Sequence, residues 1–304
     1  MLRGTLLFLS EQPTLKHMLR GPLTRPLIHR FVAGETLAEA TETAREINAD
    51  GMTVAFDYLG ESVATAAEAG AAAAQYVAIL HAIERAGIRA YASLKPTQMG
   101  LDVGYELCLR NLSWIVAQAA QFGTFVRLDM ESSAYTDATI RLVSELRQRY
   151  DNVGVVIQAY LFRSEADIRE LNARGISVRL CKGAYNEPPE VAFPQKADTD
   201  ANFIRLMQIL LDEGNYPAIA THDEQMISAT CDYAAKQGIA CDRFEFQMLY
   251  GIRRDLQRQL VRDGYRVRVY MPYGGEWYPY LMRRMAERPA NMLFVLGGVL
   301  RDLR

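Results

Sequence analysis

A chain of 304 residues, half of them hydrophobic and 23% charged, can bury a substantial core and is the right size for one barrel-sized domain. Its 34 basic and 36 acidic residues leave a formal charge of -2, so no global field favours nucleic acid or an anionic surface. Four cysteines without a C-x-x-C pair and four histidines without H-x-x-x-H or H-E-x-x-H spacing support neither a disulfide framework nor a zinc site, and no metal is expected.

In chain order, the apolar run within Met1–Ser10 stops too soon for a signal peptide's core, which makes the reducing cytoplasm the expected compartment. Two helical patterns follow, Thr14–Val32 and Thr36–Ala49, and form an expected N-terminal helical arm over residues 1–50. Beyond it, short β-like runs alternate with longer amphipathic ones. The expected strands are Thr53–Tyr58, Arg89–Leu94, Thr124–Asp129, Gly154–Tyr160, Ile176–Cys181, Pro217–Thr221, Arg243–Gln247 and Arg266–Met271, mostly apolar as buried parallel strands are. Helices between them stop at Gly87, Gly123, Gly175, Gly214, Gly238 and Gly264, while Ser62, Thr136 and Ser164 stand where N-caps belong. Neither Ala64–Leu80, broken by Glu68 and Gln75, nor the terminal Met292–Leu300 reaches the roughly 20 apolar residues of a membrane-spanning helix. That terminal run beside Arg301 and Arg304 leaves peripheral docking on a membrane open, although packing across a barrel floor or against another subunit is its expected fate.

Eight strand–helix rounds predict a (β/α)₈ TIM-type barrel over residues 51–304, preceded by the extra N-terminal helices. The alternative, a doubly wound open sheet, would carry a G-x-G-x-x-G turn after its first strand, where this chain has Asp57-Tyr-Leu-Gly-Glu61. A barrel places its site at the C-terminal strand ends, here Asp57, Lys95, Asp129, Gln158, Arg179 with Lys182, His222, Gln247 and Tyr270. Any one of these is an ordinary loop polar residue; a chemical group at every strand mouth is a site. After Tyr270, the stretch to Glu287 contains tyrosines and Trp277, which offer flat apolar walls for a small ring, and the adjacent Arg283 and Arg284. An arginine pair is commonly a solvated helix face, but two forked guanidiniums at a barrel rim suit a carboxylate or phosphate.

Eight segments, in order, carry a family resemblance: Asp57-Tyr-Leu-Gly-Glu61, Ser93-Leu-Lys95-Pro-Thr-Gln, Arg127-Leu-Asp129-Met-Glu131, Gln158-Ala-Tyr160, Arg179-Leu-Cys-Lys182-Gly-Ala-Tyr185, Ala220-Thr-His222, Phe246-Gln-Met-Leu-Tyr-Gly251, and Tyr270-Met-Pro-Tyr-Gly leading to Arg283-Arg284-Met-Ala-Glu287. From about Phe56 to Asn291 the chain resembles the catalytic barrel of the proline dehydrogenase family. The resemblance implies a monofunctional FAD-dependent enzyme that oxidises L-proline to Δ1-pyrroline-5-carboxylate and passes electrons to a membrane quinone, with no partner protein evident. It implies that Lys95, Arg283 and Arg284 hold the substrate carboxylate, that Glu61 pairs with Arg283 as a gate, that Tyr270 packs on the pyrrolidine ring and that Asp129 orients charge beneath it. It further implies that Gln158 and Arg179 approach the isoalloxazine, that Lys182, Gly183, Ala184 and Tyr185 line it, and that Thr221, His222 and Gln247 contact the rest of FAD. Because hydroxyproline-preferring relatives tend to have a smaller residue than Tyr270 at that position, the resemblance also implies a preference for proline over hydroxyproline, and Cys181 stands where an aliphatic residue is more usual in the family.

Two other readings stay open at this level. One is an aldolase-like or isomerase-like barrel using Lys95 or Lys182 as a Schiff-base lysine, with Gly274-Gly275 as a phosphate cradle. The other is a catalytically silent barrel that binds proline or a flavin for sensing or assembly.

Overall fold

The computed structural model describes residues 29–60, 63–278 and 280. Strands β1 (Thr53–Tyr58), β2 (Ala90–Leu94), β3 (Val126–Leu128), β4 (Val153–Gln158), β5 (Ser177–Cys181), β6 (Ala218–Ala220), β7 (Glu245–Leu249) and β8 (Val267–Tyr273) pair in parallel, in sequence order. The pairing of β1 with β8, from Thr53–Arg268 to Tyr58–Tyr273, closes the barrel. Helix α1 (Leu37–Ala49) precedes β1. The helices α2 (Ala66–Ala86), α3 (Tyr105–Gln121), α4 (Thr136–Arg147), α5 (Ser164–Ala173), α6 (Lys196–Glu213), α7 (Glu224–Gln237) and α8 (Arg254–Arg262) follow β1 to β7 in turn. The fold is therefore the expected (β/α)₈ barrel.

Alternation along the strands divides the molecule into an apolar shell and a polar lumen. Val54, Phe56, Leu94, Leu128, Ile157 and Leu180 are fully or almost fully buried and belong to the main core between strands and helices. Burial of each such side chain contributes about 1.5–3 kcal/mol. The intervening residues meet inside: Arg179 on β5 donates to Tyr91 and Ser93 on β2, Gln247 on β7 donates to Tyr91, and Tyr270 on β8 donates to Asp129 just past β3. None of these strand pairs is adjacent in the sheet, so the bonds cross the lumen.

Local chemistry sets the boundaries. Thr36 opens α1 and Thr65 opens α2 through capping boxes with Glu39 and Glu68. Ser62 lies outside the described residues, while Thr136 and Ser164 begin their helices as first helical residues rather than as caps. The Ser164 hydroxyl donates instead to the Gln158 carbonyl at 2.5 Å, tying α5 to the end of β4. Strand β7 begins at Glu245, later than Arg243, because the Arg243 N–H closes a turn on the Ala240 carbonyl. Five of the six expected glycine stops take a left-handed φ; Gly214 is extended, and a Cβ there would collide with the Leu210 carbonyl that its N–H binds.

The segment before α1 runs along the far end of β8. Ala33 N–H donates to the Pro272 carbonyl at 2.9 Å, Gly274 N–H donates to the Gly34 carbonyl at 3.0 Å, and Trp277 Nε1 donates to Glu35 Oε1 at 3.1 Å. Among the described residues no helix is long and apolar enough to cross a membrane. Most of the Thr14–Val32 pattern and the whole Met292–Leu300 tail fall outside the described residues.

Candidate active site

The C-terminal mouth of the barrel is built around one carboxylate. Asp129 Oδ1 accepts the Ser93 hydroxyl at 2.7 Å and Arg179 Nη1 at 2.8 Å, and Oδ2 accepts the Tyr270 hydroxyl at 2.7 Å. The Arg179 guanidinium also lies 5.3 Å from the Tyr270 ring centre, so the three side chains hold each other's orientation. Burial works against the charge on Arg179, but Tyr91, Asp129 and Tyr270 outweigh it and raise its pKa. Burial together with the Asp129 and Asp57 charges holds the Tyr270 phenol well above its ordinary range, so this hydroxyl is a donor at every working pH.

Lys95, just past β2, places its ammonium 3.1 Å from Asp57 Oδ1. Burial alone would lower its pKa, yet Asp57 and Asp129 raise it above the ordinary lysine value. A Schiff-base lysine needs the opposite shift, and Lys182 is held by Asp200 at 2.5 Å and Asp223 at 2.7 Å. Gly274 spends its N–H on Gly34 and so does not offer it to a phosphate at the Gly274-Gly275 turn. Both features tell against the aldolase-like reading.

Next to Lys95, Glu131 accepts Thr97 N–H at 3.1 Å and the Thr97 hydroxyl at 2.6 Å, bracing the Lys95-Pro-Thr-Gln98 turn. Gln98 braces its other side by accepting the Tyr76 hydroxyl at 3.1 Å and donating to the Tyr58 carbonyl at 3.2 Å. Gln158 donates to the Glu131 carbonyl at 3.2 Å. Its Oε1, together with Arg179 Nε and Gln247 Oε1, is buried without a partner. An unsatisfied buried polar atom costs about 1–3 kcal/mol, so these three atoms suit a polar ligand carrying both donors and acceptors.

The remaining nominated residues gather on the β5–β6–β7 side. Thr221 Oγ1 accepts Asp223 N–H at 3.0 Å, which links it to the Lys182 pair, and His222 Nε2 accepts Leu249 N–H at 2.8 Å. Gln247 lies deeper, donating to Tyr91 at 2.8 Å and to Glu245 at 2.5 Å. Gly183, at φ +112, lies against Tyr160, where a Cβ would come within 2.5 Å of two ring carbons and 2.7 Å of a third. Ala184 and Tyr185 follow it on the surface, Tyr185 being 42% exposed. Cys181 carries a thiol that burial pushes up to about 11, which fits a packing role and no redox one. Glu61, Arg283, Arg284 and Glu287 lie outside the described residues. Trp277 is fully buried and serves the Glu35 contact, not a ligand wall.

Sequence reasoning gave no role to Tyr91, Glu245, Arg268 or Glu131. The available signal was the period-2 placement of polar residues, Tyr91-Ala-Ser93 and Glu245-Phe-Gln247, inside runs otherwise rich in apolar residues.

Comparison with known proteins agrees with this architecture. The family described as Proline dehydrogenase matches residues 40–296. Proline dehydrogenase 1 of Bacillus subtilis (strain 168) is 43% identical over 301 residues, covering 99% of this chain and 100% of the relative. Proline dehydrogenase of Deinococcus radiodurans is 41% identical over 304 residues, with 98% of each chain covered. Among solved structures, proline utilization A from Bdellovibrio bacteriovorus, inactivated by N-propargylglycine, superposes with a TM-score of 0.80 at 28% identity over 86% of this chain. This chain matches only 32% of that longer protein. With its closed parallel barrel, its Lys95–Asp129–Tyr270 mouth and near-complete alignment to these relatives, the chain belongs to the proline dehydrogenase family.

Proposed function

We propose that this protein is an FAD-dependent dehydrogenase that oxidises L-proline to Δ1-pyrroline-5-carboxylate in the cytoplasm and delivers the electrons to a quinone at a membrane surface. The observation that carries this reading is the mouth itself, where Arg179, Asp129 and Tyr270 form one hydrogen-bonded unit beside the Lys95 ammonium. The orphaned Gln158 Oε1 and Arg179 Nε support a cofactor with donors and acceptors along one edge, and the close Gly183–Tyr160 approach supports a flat surface beside it. FAD, when bound, supplies a two-electron acceptor for the hydride on the substrate carbon next to nitrogen.

Lys95, with Arg283 and Arg284, binds the proline carboxylate through charge-assisted hydrogen bonds of about 1.5–3 kcal/mol each before desolvation. Glu61 pairs with Arg283 to close the site over the substrate. Tyr270 presents its ring to the pyrrolidine while its hydroxyl stays on Asp129, which keeps the ring from turning. Asp129 holds Arg179 in place, and Arg179 stabilises the negative charge that arrives with the hydride. Gln158, Lys182, Gly183, Ala184, Tyr185, Thr221, His222 and Gln247 hold the cofactor, Lys182 with its charge partly offset by Asp200 and Asp223.

The test is the visible spectrum of the purified protein before and after L-proline is added without oxygen. A yellow protein whose flavin band bleaches supports the reading. A yellow protein that does not bleach overturns the substrate, and one that takes up no flavin overturns the cofactor. Replacement of Arg284 by Lys keeps the charge but loses the fork, and should weaken proline binding with flavin retained.

A further inference from the structure

The lumen beneath Asp129 contains one more positive charge than its carboxylates neutralise. Arg127, Arg179 and Arg268 enter it from β3, β5 and β8. Glu245 takes Arg268 through two bonds of 2.7 and 3.0 Å, and Asp129 takes Arg179. Arg127 is 2% exposed and has no carboxylate partner among the described residues: it donates to the Ser177 carbonyl at 2.7 Å, the Val155 carbonyl and the Ser177 hydroxyl, and its Nε has no partner. Burial accordingly pushes its pKa down. A buried charge without a counter-ion is expensive.

Tyr91 stands at the centre of this surplus. Its ring centre lies 4.1 Å from the Arg268 guanidinium and 5.9 Å from that of Arg127. Its oxygen accepts Arg179 Nη2 at 3.1 Å and Gln247 Nε2 at 2.8 Å. The amide of Gln247 cannot be turned around, because the same Nε2 also donates to Glu245 Oε1. Two obligate donors therefore face the Tyr91 oxygen, and among the described residues no group accepts its proton. A cavity of about 460 Å³ at the N-terminal ends of β1 to β3 is lined by Tyr91, Arg268, Arg89 and Phe125.

We propose that Tyr91 is the third counter-ion of the lumen, an ionisable positioning residue whose phenolate partners Arg127 and Arg179 and sets how much of the Arg179 charge is felt at the mouth. Ionisation breaks the O–H bond, leaves the electron pair on oxygen and gives the proton to solvent base. Burial alone would raise the Tyr91 pKa, but Arg179, Arg127 and Arg268 outweigh burial and the Glu245 charge and lower it. Resting here on the functional reading above, a phenolate at Tyr91 offsets Arg179 and makes the bound flavin harder to reduce.

The test is ¹³C NMR of the full-length protein labelled at tyrosine Cζ, with Tyr91→Phe identifying one signal among 16 tyrosines. The expected result is that this signal shifts to the phenolate position at lower pH than the other tyrosines, and that Arg127→Met moves the transition back towards theirs. A Tyr91 signal that moves with or after the others, or is indifferent to Arg127→Met, overturns the proposal. If either variant fails to fold, the ultraviolet titration of the wild-type protein decides, since a single early tyrosinate step supports the proposal and its absence overturns it. Flavin potential measured across pH should fall more steeply in wild type than in Tyr91→Phe; parallel lines would overturn the action through Arg179. A protein that takes up no flavin would overturn the functional reading while the NMR result still judges the counter-ion.

Discussion

Tyr270 donates its hydroxyl to Asp129 across the lumen at 2.7 Å, on the oxygen opposite the one that receives Arg179. The two bonds are unequal in consequence. Tyr270→Phe removes one donor from a carboxylate that keeps two others, a loss of about 1.5–3 kcal/mol. Asp129→Ala leaves the Arg179 guanidinium buried without its partner, a loss of about 3–5 kcal/mol. Urea unfolding of the two variants and of the double variant measures the difference. Equal losses would mean that Asp129 does not anchor Arg179.

The barrel was legible because its strands are short apolar runs and six of the helices between them end at a glycine, and those signals are local. The lumen was not. Tyr91, Arg127, Glu245 and Arg268 become a charge network only when β2, β3, β7 and β8 face one another, and nothing nearby in sequence says which of them meet. Position in a motif also says little about partners: Lys182 follows Arg179 by three residues, yet it is bound by Asp200 and Asp223 and not by the Asp129 unit. Trp277 reads as a ligand wall until Glu35, far away in sequence, is placed beside it.

Glu131 gives a pH test of the turn that carries Lys95. Burial raises its pKa above the ordinary glutamate value of 4.5, outweighing the lowering by Thr97 and Lys95. A folded-state value that is raised contributes stability that is complete below the unfolded value and is lost as pH rises through the folded one. Thermal unfolding should therefore show wild type losing stability relative to Glu131→Gln as pH rises above 4.5. Glu131→Ala instead abandons the Thr97 N–H and should lose about 1–3 kcal/mol at neutral pH. A pH-independent difference between wild type and Glu131→Gln would show that the carboxylate keeps its solution pKa.

Gly183→Ala tests the approach of the loop after β5 to Tyr160. Its φ of +112 strains any side chain, and the new Cβ would press into a ring whose hydroxyl is tied to Glu187 at 3.3 Å. The expected loss is about 1–3 kcal/mol, with reduced flavin content after purification. Tyr160→Ala in the same protein removes the clash but leaves the backbone strain, so it should restore part of the loss. Full restoration would assign the whole effect to the ring.

The segment before α1 should act on substrate binding from a distance. Ala33, Gly34 and Glu35 bind Pro272, Gly274 and Trp277 in register, and Gly251 lies so close to the Arg30 carbonyl that no Cβ fits between them. Trp277 is fully buried, and Arg283 and Arg284 follow it a few residues along the chain. Glu35→Ala and Trp277→Phe each break the 3.1 Å bond without touching the Asp129 unit. The expected result is a KM for proline raised about 5- to 10-fold, as the loss of one hydrogen bond of about 1–1.5 kcal/mol implies, with kcat and the flavin spectrum unchanged. Gly251→Ala, which forces Arg30 away, should act in the same direction and more strongly. Steady-state kinetics of the three variants separate the alternatives: a change confined to kcat would mean that the segment acts on the chemistry at Asp129 and Arg179, and not on the arginines beyond Trp277.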